Sequence, residues 1–272
     1  MTQGGSGRGE APRSRARERP KDEVEVRTAY ALRLGDDGLI LSHRLAEWSS
    51  RAPEIEEDVA LTNIALDLLG QARTLLTHAG MLEGRGRDED DLAYLREERD
   101  FVNCLLVEQD NGDFGHTIAR QLLWSTYQLG LLEELTASTD STLAALAAKG
   151  VKEVAYHRDH AVQWTRRLGD GTEESHRRMQ AGLDRMWPYT AELFERDALT
   201  AAAVALGIGP DPDALRPRWD AGVDAVLAEA TLHRPEDGWA PAGGRRGLHT
   251  ECFGRLLAEM QHLHRSHPGA RW

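Results

Sequence analysis

Apolar residues recur through residues 59–76 at Leu61, Ile64 and Ala65, Leu68 and Leu69, Ala72, and Leu75 and Leu76. Steps of three and four place these side chains on one stripe of an α helix. A second, thinner stripe runs through Asn63, Asp67, Gln71 and Thr74. A helix with a wide apolar face and a polar line at its centre fits a bundle packed on several sides. The polar line is then either an active site or a satisfied hydrogen-bond network.

The same reading predicts further helices on both sides. One covers residues 27–48, with Leu32, Leu39, Leu41, Leu45 and Trp48 among its apolar positions. Pro53 and the carboxylates Glu54, Glu56, Glu57 and Asp58 form an opening for the central helix, since acids complement first-turn N–H groups. That helix is expected to end near Gly80. A Gly- and charge-rich connection leads to a shorter helical piece over 92–106, and Asp110-Asn111-Gly112-Asp113 is a stop and restart. Long helices follow over 113–135, 141–168 and 173–206, the last kinked at Pro188. Two more cover 212–232 and 248–264, separated by an irregular loop at 233–247. No run of alternating β-branched residues interrupts the series. The expected fold is all-α, a ferritin-like helical bundle with additional C-terminal helices. Residues 1–25, rich in Gly, Arg, Ser and Pro, are expected to be a disordered basic tail beside a single domain over 26–272.

Charge narrows the function classes. A net charge of −12 argues against a duplex nucleic acid or an anionic membrane as partner. Cys104 and Cys252 are too few and too far apart for a disulfide framework or a thiolate metal site. No apolar run approaches the roughly 20 residues that cross a bilayer, and no secretion signal opens the chain. The expected location is the cytoplasm.

A ferritin-like bundle invites a test for a di-iron site, which takes carboxylates from two helices and a Glu-x-x-His from each of two others. Residues three apart share a face, so one carboxylate and one imidazole converge on one metal. Here the central helix offers Asp67 with Gly70 three residues on, and the fourth long helix offers Glu153 with Tyr156, His157 following. Between Asp113 and Glu133 no Asp or Glu occurs. These positions therefore read as a vestigial metal site, with Asp67, Glu153 and His157 in a buried polar network. Two alternatives remain: a self-contained iron-binding oxidase using Asp67, Glu153, His157 and His160, and a helical binding protein that recruits a partner through the Arg-rich tail.

Several longer runs carry a resemblance: 32–36 (LRLGD), 43–48 (HRLAEW), 65–73 (ALDLLGQAR), 105–109 (LLVEQ), 117–121 (TIARQ), Lys152-Glu153 with Tyr156-His157, 167–172, 243–251 and 257–261. Across residues 28–272 the chain resembles the PaaC-type subunits of phenylacetyl-CoA epoxidase. The basic tail lies outside that pattern. The resemblance implies a non-catalytic structural subunit that binds no metal or cofactor of its own. It also implies an obligate heteromer with a PaaA-type catalytic di-iron subunit, a small bridging subunit, and a reductase carrying FAD and an iron–sulfur cluster and drawing on NADPH. The complex would epoxidise the ring of phenylacetyl-CoA during phenylacetate breakdown. By analogy, the first two helices are candidates for the partner interface. The thioester is expected near that interface, with Asp100, Phe101, Val102, Asn103, Arg245 and Arg246 as candidate contacts and Lys149 and Lys152 solvated or bridging to the partner.

Overall fold

In a computed structural model that describes residues 22–270, the expected all-α class holds, and the described residues contain helices without strands. Helix α1 (Glu23–Ala46) opens on the Asp22 side chain, which accepts from the Val24 N–H, and closes on His43 and Arg44. It therefore starts inside the segment read as tail; residues 1–21 lie outside the described residues. Helix α2 (Ile55–Glu83) carries Glu56, Glu57 and Asp58 in its first turn and ends at Gly84, whose φ of 68° is the left-handed stop that glycine adopts at low cost.

The segment expected as one piece over 92–106 is broken into α3 (Glu89–Tyr94), a 3₁₀ turn at Glu98–Asp100 and α4 (Leu105–Glu108). Helix α5 (Phe114–Leu135) is capped by Asp113, and α6 (Ser141–Gly169) by Asp140. The fifth long helix is three elements: α7 (Glu173–Met186), a 3₁₀ stretch at Trp187–Phe194, and α8 (Ala198–Ala205). Pro188 brings no N–H to the ladder, and Asp197 caps a fresh helix by accepting from Thr200, so the chain breaks instead of kinking. Helix α9 (Pro212–Glu229) and α10 (Glu251–Ser266) complete the chain, α10 starting three residues later than expected.

Helices α1 and α2 form one antiparallel pair and α5 and α6 a second, with α7 and α9 packed on α5 and α10 against α3. The first pair is very close. A Cβ on Gly38 would stand 3.2 Å from the Leu68 carbonyl oxygen, and one on Gly35 2.9 Å from Leu76. The core takes Ile40, Leu41, Leu61, Ile64, Leu68, Leu122, Leu123 and Val154, so the apolar stripe read from residues 59–76 faces inward as expected. No helix among the described residues is long and apolar enough to cross a membrane.

Candidate functional site

Where the two helix pairs meet, α2 faces α6 across a polar seam. Nε2 of His157 lies 3.0 Å from Asp67, and Nε2 of His160 2.7 Å from Glu57. A carboxylate only accepts, so each imidazole donates from Nε2. Burial depresses the His157 pKa below its ordinary value, outweighing the pull of Asp67, which keeps the ring neutral near pH 7. Between these pairs and the bundle centre runs a relay of amides. The Trp124 indole N–H donates to Gln128 at 3.0 Å, Gln128 to Gln71 at 3.0 Å, and Gln71 to Glu153 at 2.9 Å. Lys149 completes it from the surface, 3.1 Å from Glu153.

A second polar assembly closes one end of the bundle. Asp36 and Asp37, adjacent on α1 and both fully buried, face the segment 96–104. Asp36 pairs with Arg96 and accepts from the Val102 N–H at 2.9 Å. Asp37 accepts from Arg245 and, at 2.8 Å, from the Cys104 N–H. Glu192 accepts backbone N–H groups from Leu105, Gly243 and Arg245. Glu108 accepts from His249 at 2.7 Å, from Asn103 at 2.9 Å and from Thr250. Four buried carboxylates thus fasten two irregular segments, 96–108 and 243–250, to the helices.

A model of the family described as phenylacetic acid catabolic protein matches residues 12–272. The chain belongs to that family. It is also 50% identical over 245 residues to the C-designated component of the 1,2-phenylacetyl-CoA epoxidase of Escherichia coli strain K12, a match covering 90% of this chain and 98% of that protein.

In this member of the phenylacetic acid catabolic protein family, the seam residues do not fit a di-iron centre. Gly70 is exposed, and a Cβ there would meet nothing within 4 Å, so the position turns outward and no side chain on it would reach the centre. Tyr156 is 53% exposed, on the outer side of α6. The expectation that these two positions face the ligand space is corrected: helix phase directs 67, 71, 153 and 157 to the seam and 70 and 156 away from it. At the centre α5 supplies Gln128 and Trp124, whose neutral groups are already spent on one another. Glu153 is held by Gln71 and Lys149, and Asp67 by His157. Among the described residues no three His, Cys, Asp or Glu side chains converge as a metal site.

The candidate thioester contacts belong to the carboxylate assembly. Phe101 is fully buried under Phe253, ring centroids 5.4 Å apart, with the Arg96 guanidinium 4.0 Å above it. The Val102 backbone is bonded to Asp36 and Arg245, the buried Asn103 amide donates to Glu108, and Arg245 is committed to Asp37. Asp100 caps its own 3₁₀ turn, and Arg246 pairs with Glu195 at 2.9 Å. In this structure Phe101, Asn103 and Arg245 are closed to solvent, because aromatic packing and carboxylate pairing both draw them inward.

The residues missed by sequence reasoning are Asp36, Asp37, Arg96, Glu108, Glu192 and His249. Their signal was present in part: two consecutive aspartates interrupt the apolar run of α1, and the one basic residue at helical spacing from them, Arg33, is engaged by Asp197. Acids in such a place need a distant base.

Proposed function

We propose that this chain is a structural, non-catalytic subunit of a phenylacetyl-CoA epoxidase complex, paired with a catalytic di-iron subunit. One observation carries the non-catalytic part: the relay Trp124–Gln128–Gln71 occupies the bundle centre with neutral groups where a metal would need carboxylates, and Gln71 takes up the nearby Glu153. Near full-length similarity to a component of such an epoxidase supports the complex. On this reading iron sits in the PaaA-type partner, and the FAD, iron–sulfur cluster and NADPH chemistry in the reductase.

The outer face of α2 supports a place for the partner. Ile55, Val59, Leu66 and Met81 recur along that face at 80%, 54%, 58% and 74% exposure. Exposed apolar residues in a row mark an interaction surface more than a solvated face. Helix α1, also a candidate, is buried along most of its length and is the less available of the two.

The test is iron content after expression with excess iron, for this chain alone and with the catalytic subunit. Essentially no iron in the chain alone, and iron in proportion to the catalytic subunit in the complex, agrees with the proposal. Stoichiometric iron in the isolated chain overturns it and makes the chain an oxidase candidate. Leu66→Arg with Val59→Arg should abolish co-purification while leaving the melting temperature of the isolated chain within a few degrees.

A further inference from the structure

We infer that an internal site at the junction of α1, α5, α8 and the 187–195 stretch binds water, held between the guanidinium Nε of Arg33 and the Oε2 of Glu195. A cavity of about 30 Å³ lies there, lined among others by Tyr30, Arg33, Tyr127, Glu195, Thr200 and Arg245. Arg33 is 7% exposed. Its terminal nitrogens are engaged by Asp197 and Thr200, but its Nε is buried with no protein acceptor. Across the same cavity Oε2 of Glu195 is buried with no protein donor, while its Oε1 takes Arg246. A buried donor or acceptor left unsatisfied is costly, so a group that completes both is strongly favoured.

The two atoms select the ligand chemically. Arg33 Nε–H requires an acceptor, which excludes ammonium and metal cations; Arg33 and Arg245 repel them as well. The Glu195 oxygen requires a donor, which excludes halides and other simple anions. Water both donates and accepts. A water needs roughly 10–15 Å³ of such space, so the cavity admits about two. The tyrosines add protonated hydroxyls: burial raises the Tyr30 pKa to about 12 and raises that of Tyr127 also. Gly209 leaves room for this arrangement, since a Cβ there would stand 2.3 Å from the Tyr30 hydroxyl oxygen.

A crystal structure of the full chain, at a resolution where ordered water is visible, tests the site. Density within hydrogen-bond distance of both Arg33 Nε and Glu195 Oε2, without anomalous signal after a bromide soak, is the expected result. A direct Arg33–Glu195 contact with no intervening density, or bromide at the position, overturns the assignment. In solution, ¹⁷O relaxation dispersion should report a long-lived water component that decreases in Leu131→Phe, since Leu131 also lines the cavity and a larger ring there would fill it. An undiminished component in a folded Leu131→Phe also overturns it.

Discussion

Nη1 of Arg245 lies 2.9 Å from both carboxylate oxygens of Asp37, joining residues 208 positions apart inside the bundle. Burial alone would lower the Arg245 pKa, and the Asp37 charge more than reverses that, holding the guanidinium charged. Burial raises the Asp37 pKa above the ordinary carboxylate value, and the donors converging on it from Arg245 and Cys104 act against that shift.

Removing one partner should therefore be worse than removing both. Arg245→Met is expected to destabilise by about 3–5 kcal/mol by leaving a buried carboxylate unpaired. Asp37→Leu combined with Arg245→Met should recover much of that loss. Urea denaturation of the two single variants and the double variant gives the cycle; strictly additive losses would count against a coupled pair.

Two histidines predict opposite pH responses. At His249 burial acts downward, but the hydrogen bond and charge of Glu108 outweigh it, so its folded pKa is raised above 6.5. That stabilisation is full below the ordinary histidine value and fades as pH rises through the folded pKa. At His157 the folded pKa is lowered, so stability is full above the ordinary value and is lost as pH falls toward the folded pKa. His249→Gln should thus lose most, about 1.5–3 kcal/mol, on the acid side and less on the alkaline side. His157→Gln should remove part of the acid sensitivity. Denaturant midpoints from pH 5.5 to 8.5 decide both, and parallel profiles for the parent and both variants would refute the assignments.

The amide relay predicts a cost for deleting its middle. Gln128→Leu strands the Trp124 N–H and the Gln71 carbonyl together, and should destabilise by about 1–3 kcal/mol. Chemical denaturation and near-ultraviolet circular dichroism of Trp124 report it. No change in either would show that the relay contributes nothing.

Two glycines of α2 predict opposite outcomes for the same substitution. Gly70→Ala adds a methyl group in open space on an exposed helix face and should stabilise the isolated chain by about 0.5–1 kcal/mol. Gly80→Ala would place its Cβ 2.3 Å from the Arg87 carbonyl oxygen, forcing the connection to α3 to move. That change should lower the melting temperature by several degrees, and calorimetry of the pair measures the contrast.

Much of this architecture is written in local pattern. The stripe through Leu61, Ile64, Leu68 and Ala72 placed α2 and its buried face, and Asp113 marked the start of α5. Periodicity failed where the chain is held by distant groups. Residues 92–106 contain enough Leu and Glu to read as helix, but Asp36, Asp37 and Glu192 capture their backbone N–H groups and impose an irregular path. The want of acids along α5 was legible from composition alone, as none lies between Asp113 and Glu133. Which way Gly70 and Tyr156 face was not, because helix phase one residue away from the seam separates the centre from solvent.

The long reach of the Asp37–Arg245 contact also sets an order of events during synthesis. When α1 leaves the ribosome, its two aspartates are bound for the interior, and Arg245, 208 positions beyond Asp37, is still to be made. Until that arginine arrives, Asp37 lacks its countercharge and segment 96–104 lacks part of its anchor. Completion of this end of the bundle therefore waits for the last tenth of the chain.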